Sequence, residues 1–287
     1  MTPSADFDFA AVDPLPGQLR PDRPYYDTGV LLDREEFADE QGYHRGRLAR
    51  GLGYLGGSGT LVGLKAVARR DGGVLELSVG GGLALDRHGR LIEVPRPWCL
   101  RLERWAAAQS ADALRAASGP QGVVADLYVA FQAAGRGRTP AFAHGAFDAT
   151  DALVPSRVRD AFRFSLALRP EAAPDPADPA HLPRMRFAAL RALAPAERVD
   201  AMRQALLDGW DERLARPNGE ALAPLQEHGP GTDPASVFLA RVRLPLTGAE
   251  IDGRPEIDFA AFGDPFIANE PRAFVVPTDL LSQVFGA

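Results

Sequence analysis

"VLELSVGGGLALDRHGRLIEVP", residues 74–95, decides the fold. Leu75, Leu77 and Val79 alternate with Glu76 and Ser78, the period of a strand with one buried face. "LALD" and "LIEV" then flank Arg87-His88-Gly89, a short loop whose glycine suits a positive φ, so the second half reads as a hairpin. His88 is expected at the hairpin tip in solvent, with no cysteine, histidine or paired acids nearby to make a metal site.

Upstream, "EEFADEQGYHRGR" (35–47) sets Glu36, Glu40 and His44 four residues apart. Asp33 and Glu36 fit a capping box, with acidic residues in the first turns and Arg45, Arg47 and Arg50 in the later ones. The spacing predicts a helix over about 34–50. A zinc-protease helix needs H-E-x-x-H, two histidines around a glutamate, and only one histidine is present, so Glu40 and His44 read as one more pair on the charge gradient. Two further stripes share this helix. Phe37, Gln41, His44, Leu48, Leu52 and Leu55 line one side, whose aliphatic end is expected to be buried. Gly42, Gly46, Ala49 and Gly53 line another, and interior glycines at about 1 kcal/mol each imply close approach of another backbone.

"GLGYLGGSGT" (51–60) contains G-x-G-x-x-G spacing, but a helix precedes it and a strand, "TLVGLKAVA", follows. A dinucleotide site needs the reverse order, so these glycines are expected to end the helix and turn the chain. Ser58 lacks the context of a nucleophile elbow.

Farther along, "LERWAAAQSADALRAA" (102–117) reads as a broken helix, and "GVVADLYVAFQ" (122–132), "AFRFSLAL" (161–168) and "SVFLARVRLPL" (236–246) as strands. "APAERVDAMRQALLDGWDERLARPNG" (194–219) reads as a helix opened by Pro195, with Val199, Met202, Leu206, Trp210 and Leu214 as an expected core stripe. Between them lies the proline-rich "PEAAPDPADPAHLP" (170–183). The expected fold is α+β and β-rich: a β-sandwich-like N-terminal unit with a packed helix, plus a mixed helix/strand C-terminal half. The expected divisions are an extended arm over 1–24, a β-rich domain over 25–169, and a helix/strand region with an aromatic-rich tail over 184–287.

Composition narrows the function. The chain has 287 residues, 46% hydrophobic and 24% charged, ordinary for a globular protein. A net charge of −6 argues against a general nucleic-acid binder. No apolar run suits a signal peptide or a membrane span, so cytoplasmic synthesis is expected. Cys99 is the only cysteine, which excludes an intrachain disulfide. His144, His181 and His228 belong to no local ligand cluster, and nothing selects a nucleophile. No catalytic, metal or cofactor residue is therefore expected. The aromatics at both ends, Phe7, Phe9, Tyr25 and Tyr26 in the arm and Phe259, Phe262, Phe266, Phe274 and Phe285 in the tail, need something to pack on, either their own domain or a neighbouring subunit.

"YYDTGVLLDREEFADEQGYHRGRLARGLGYLGGSGTLVGL" (25–64) followed by "LSVGGGLALDRHGRLIEVP" (77–95) resembles proteins of phage-tail-like particles and extracellular contractile injection systems. It is more distantly similar to the N-terminal shoulder of type VI secretion baseplate subunits and of phage receptor-binding proteins. "DATDALVPSRVRDAFRFSLAL" (148–168) shares the likeness more weakly. The resemblance covers residues 25–98. It implies a baseplate subunit, adaptor or fibre connector assembled into a particle, acting without catalysis through homo-oligomeric contacts and contacts with other tail or baseplate subunits. The interaction residues expected from the small-residue stripe and the aromatic ends are Gly42, Gly46, Ala49, Gly53, Phe7, Phe9, Tyr25, Tyr26, Phe274 and Phe285. A carbohydrate- or surface-binding fibre module would instead show an exposed aromatic and acidic cluster around Trp98, Trp105 or Trp210. A hydrolase would bring Glu40 and His44 together with a distant aspartate.

Overall fold

The computed structural model describes residues 22–140, 153–170, 193–207, 222, 224–225, 227–277 and 280. Residues 66–94 form the two hairpins around which the first half is built. Strands β2 (Ala66–Asp71) and β3 (Val74–Val79) are joined by Gly72-Gly73, both at positive φ (+55° and +86°), with Asp71 opposite Val74. That two-residue turn matches the twist of the strands it joins. Leu75, Leu77 and Val79 are fully buried, as their alternation requires. Strands β4 (Gly82–Leu85) and β5 (Leu91–Val94) form the second hairpin, with Gly89 at φ +79°. Asp86, itself buried, closes its turn: one carboxylate oxygen accepts the His88 and Arg90 amides (2.9 and 2.8 Å) and the other accepts Arg90 Nε at 2.7 Å. His88 is half-buried rather than in solvent, because the helix described next lies on this turn. With β1 (Gly59–Gly63) and β6 (Trp98–Arg101) the hairpins extend to two three-stranded sheets, β1-β4-β5 and β2-β3-β6.

Helix α1 spans Arg34–Gly56, longer than the expected 34–50. Gly51, Gly53 and Gly56 lie inside it instead of ending it, and Gly57, at φ +77°, is its C-cap, its N–H donating to the Gly53 carbonyl at 3.0 Å. The capping box is present as read: Glu35 N–H donates to Asp33 Oδ1 (2.7 Å) and Asp33 N–H donates to Glu36 Oε2 (2.9 Å).

The expected broken helix is two short helices, α2 (Leu102–Ala107) and α3 (Ala111–Ala116), the second capped by Ser110 Oγ. The short β7 (Ser118–Gly119) turns into the long β8 (Gly122–Arg136). Then follow β9 (Thr139–Pro140), β10 (Leu153–Val154), β11 (Arg157–Leu168), α4 (Pro195–Leu207), β12 (Val237–Leu244), β13 (Leu246–Ile251), β14 (Arg254–Ile257) and β15 (Ile267–Ala268). Strands β11, β8, β12 and β15 lie side by side in that order, all antiparallel. Strand β11 pairs with β8 from Arg157 opposite Arg136 to Leu168 opposite Ala125, and β12 takes the other edge of β8 with Leu244 opposite Val123.

This sheet joins chain from both sides of the proline-rich segment. Leu77, Ile92, Leu127, Val129, Leu239, Val242 and Leu244 meet in one core. Burying each such side chain contributes about 1.5–3 kcal/mol, against tenths for an exposed helix pair, so this core dominates the cohesion of the sheets. The protein is thus a β-rich α+β fold built of several antiparallel sheets.

Pro195 does open α4, but Val199 and Met202 of its apolar stripe are exposed, and among the described residues α4 contributes nothing to the core. Its pattern specified a helix; burial depends on a partner surface that periodicity does not supply. Trp210 and Leu214 lie outside the described residues. In the tail, Phe259, Phe262 and Phe266 pack on the chain's own core, Phe262 stacking on Phe266 at 6.0 Å. Beyond β15 the chain returns to β1: Thr60 N–H donates to the Ala273 carbonyl (2.8 Å) and Val275 N–H to the Thr60 carbonyl (2.9 Å). Asn269 bonds both backbone groups of Ala66, and the buried Arg272 donates to the Leu64 carbonyl at 2.8 Å.

Candidate functional site

Helix α1 turns its small-residue stripe to the body, as expected, but leaves most of its apolar stripe outside. Gly42, Ala49 and Gly53 are its buried residues, with Gly46 half-buried. Ala49 and Gly53 lie on the β4–β5 turn, where a Cβ on Gly53 would come within 3.6 Å of Gly89 Cα. The close backbone approach inferred from the glycines is therefore present, and its partner is this chain's own hairpin. The larger side chains are left outside: Phe37 is 52% exposed, Leu48 64% and Leu55 90%. The expectation that this stripe buries its aliphatic end is corrected. A helix seats closest on the side without side chains, and that geometry outranks the hydrophobicity of the other stripe. Leu31, 90% exposed in the segment leading into the helix, adds to the apolar surface.

At the N-terminal part of α1 the helix meets the aromatic segment before it. Tyr26 Oη donates to Glu40 Oε2 at 2.8 Å, and that carboxylate holds the phenol above its usual pKa. Tyr25, Tyr26, Glu40, His44, Arg23 and Pro24 surround an open hollow of about 260 Å³. His44 is exposed and stands edge-on to the Tyr43 ring at 5.2 Å. Among the described residues no aspartate lines the hollow, and no group of three metal-ligating side chains occurs. Of the other expected interaction residues, Phe274 is exposed beside β1, while Phe7, Phe9 and Phe285 lie outside the described residues.

Sequence reasoning missed a buried polar network on the second face of the central sheet. In β8, Val124, Asp126 and Tyr128 alternate with the core residues Val123, Ala125, Leu127 and Val129. Asp126 accepts Arg169 Nη1 at 2.8 Å and Arg241 Nε at 2.9 Å, all three residues being buried. Tyr128 Oη donates to the Glu227 carbonyl at 2.6 Å, and its ring stacks on His228 at 5.9 Å. Burial, helped by the Asp126 charge, pushes the Tyr128 phenol up to about 12. Burial also raises the Glu227 carboxyl and lowers the His228 imidazole. His228 Nδ1 accepts the Leu225 N–H (2.9 Å), which leaves the ring proton on Nε2 to donate to the Ser236 carbonyl (2.9 Å). With both nitrogens committed to backbone, this histidine is not placed to exchange protons with a substrate. The network fastens residues 227–236 to the sheet. A charge inside each of the apolar runs "VVADLYVAF" and "VFLARVRL" was the signal that pointed to it.

No family model and no curated protein matches this chain.

The tryptophans serve packing where they are described. Trp98 stacks on Phe164 at 4.6 Å, and Trp105 Nε1 donates to the Leu166 carbonyl at 2.9 Å. Trp210 lies outside the described residues. No described helix is long and apolar enough to cross a membrane.

Proposed function

We propose that this protein is a structural subunit of a phage-tail-like contractile particle, acting as a baseplate subunit, adaptor or fibre connector through subunit contacts rather than catalysis. The outward face of α1 carries the reading. Phe37, Leu48 and Leu55 stand in solvent along one side of a helix whose opposite side is already seated on the body. A stripe of this kind suits a partner subunit. The likeness of residues 25–98 to tail-particle proteins supports the same reading, because that stretch contributes α1 and the hairpins beneath it.

The test is assembly state. Light scattering on the purified wild type is expected to give a defined oligomer, or a monomer that is captured by other tail subunits, and Leu48→Glu with Leu55→Glu is expected to abolish that association without unfolding the protein. A monodisperse wild-type monomer that associates with no tail component would overturn the proposal.

A second reading, a carbohydrate-binding fibre module, is favoured by one observation. The exposed Tyr25 and Tyr26 and the half-buried Glu40 form an aromatic and acidic cluster around the hollow beside α1, although not at the tryptophans expected. Glycan-array binding lost in Tyr25→Ala would support it, and an array without signal would dismiss it.

A further inference from the structure

We propose that a cleft at the start of β8 binds an oxyanion, the phosphate or carboxylate group of a small ligand. The cleft has a volume of about 260 Å³ and lies between the β7–β8 turn and the ends of β11 and β12. Arg169, Arg241 and Arg243 line it, together with Gln121, and among the described residues no acidic side chain does. The strand period explains the clustering. Arg241 and Arg243 are two apart on β12 and share a face. Arg169 follows directly on β11, its N–H bonded to the Val124 carbonyl at 2.9 Å.

The charge beneath the cleft is one-sided. Asp126 lies opposite Arg241 and also receives Arg169, but the residue opposite Arg243 is Val124, which supplies no carboxylate. Arg169 is buried, and its Nε has no hydrogen-bond partner. Glu227, whose backbone carbonyl accepts from Arg169, has a carboxyl that burial pushes toward the neutral form. Withdrawing guanidinium charge from water without a matching anion is costly. An oxyanion accepts two parallel N–H groups from a guanidinium, which makes it the natural counter-charge here. The volume, near the lower end for ligand sites, limits the occupant to a small molecule.

Calorimetric titration of the full chain with sodium phosphate and with citrate, at ionic strength matched by sodium chloride, tests this. Saturable binding of at least one of the two is expected, weakened about tenfold or more in Arg243→Gln, which removes one charge-assisted contact. Gln121→Glu places a negative charge at the exposed mouth and is expected to weaken binding similarly. It keeps the test valid if Arg243→Gln fails to fold by circular dichroism. Phosphate binding without citrate would assign the site to phosphate chemistry, and the reverse to carboxylate chemistry. Heats indistinguishable from chloride, or an affinity unchanged in the folded variants, would overturn the proposal.

Discussion

Gly53 and Gly89 meet backbone to backbone: a methyl group on Gly53 would lie 3.6 Å from Gly89 Cα, whereas one on Gly89 would run into the Ala49 carbonyl. The two glycines therefore differ in what they tolerate. Gly53→Ala makes an ordinary contact and gains helix propensity, so its stability should equal or slightly exceed the wild type. Gly89→Ala must place a side chain at φ +79° against helix backbone, and should lose about 2 kcal/mol or more. Urea denaturation of both variants checks the asymmetry.

Gly51 lies inside α1 with open space around it, and Asp33 caps the same helix. Gly51→Ala should stabilise the protein by up to about 1 kcal/mol. Asp33→Ala should destabilise it by about 1 kcal/mol. If thermal melting shows neither shift, α1 contributes little to the cooperative unit.

Asp126→Asn should be among the most damaging substitutions in the chain. It leaves the buried Arg169 and Arg241 without their carboxylate, for which about 3–5 kcal/mol is typical. Equilibrium unfolding of the variant measures it. A loss below about 1 kcal/mol would mean that the network is solvated.

His88 and His228 are both held below their ordinary pKa by burial. Below about pH 6.5 the unfolded chain binds protons that the folded chain refuses, so this part of the stability is intact above that pH and is lost as pH falls toward the lower folded values. Glu227 acts in the opposite sense. Its raised pKa lets the folded chain hold a proton the unfolded chain gives up, so its contribution is present at low pH and is lost as pH rises through the folded value. Urea midpoints measured between about pH 7 and pH 5 should show a fall that His228→Asn flattens and Glu227→Gln steepens.

The local features were legible because they are written in neighbouring residues. The alternation of Leu75, Leu77 and Val79, the glycine turn at Gly89 and the Asp33–Glu36 box all sit where the sequence placed them. The orientation of α1 was not legible, because hydrophobic periodicity identifies faces without saying how near a neighbour can come. Small residues at Ala49 and Gly53 decided that. The Asp126–Arg169–Arg241 cluster escaped for a different reason: its members are 43 and 115 residues from Asp126, and only strand pairing brings them together. The same holds for the cleft, whose lining becomes visible once Arg241 and Arg243 are known to share a sheet with β8.

The bonds between Asn269 and Ala66 give the protein a timetable. These partners are 203 residues apart, and Thr60 waits similarly for residues 273–275. At ribosomal rates of about 5–20 residues per second, the edges of β1 and β2 emerge roughly 10–40 s before the chain that covers them. During that interval they offer unpaired backbone to any passing strand. That exposure to mispairing belongs to the protein's own synthesis, and it ends when residues 269–275 arrive to cover the two edges.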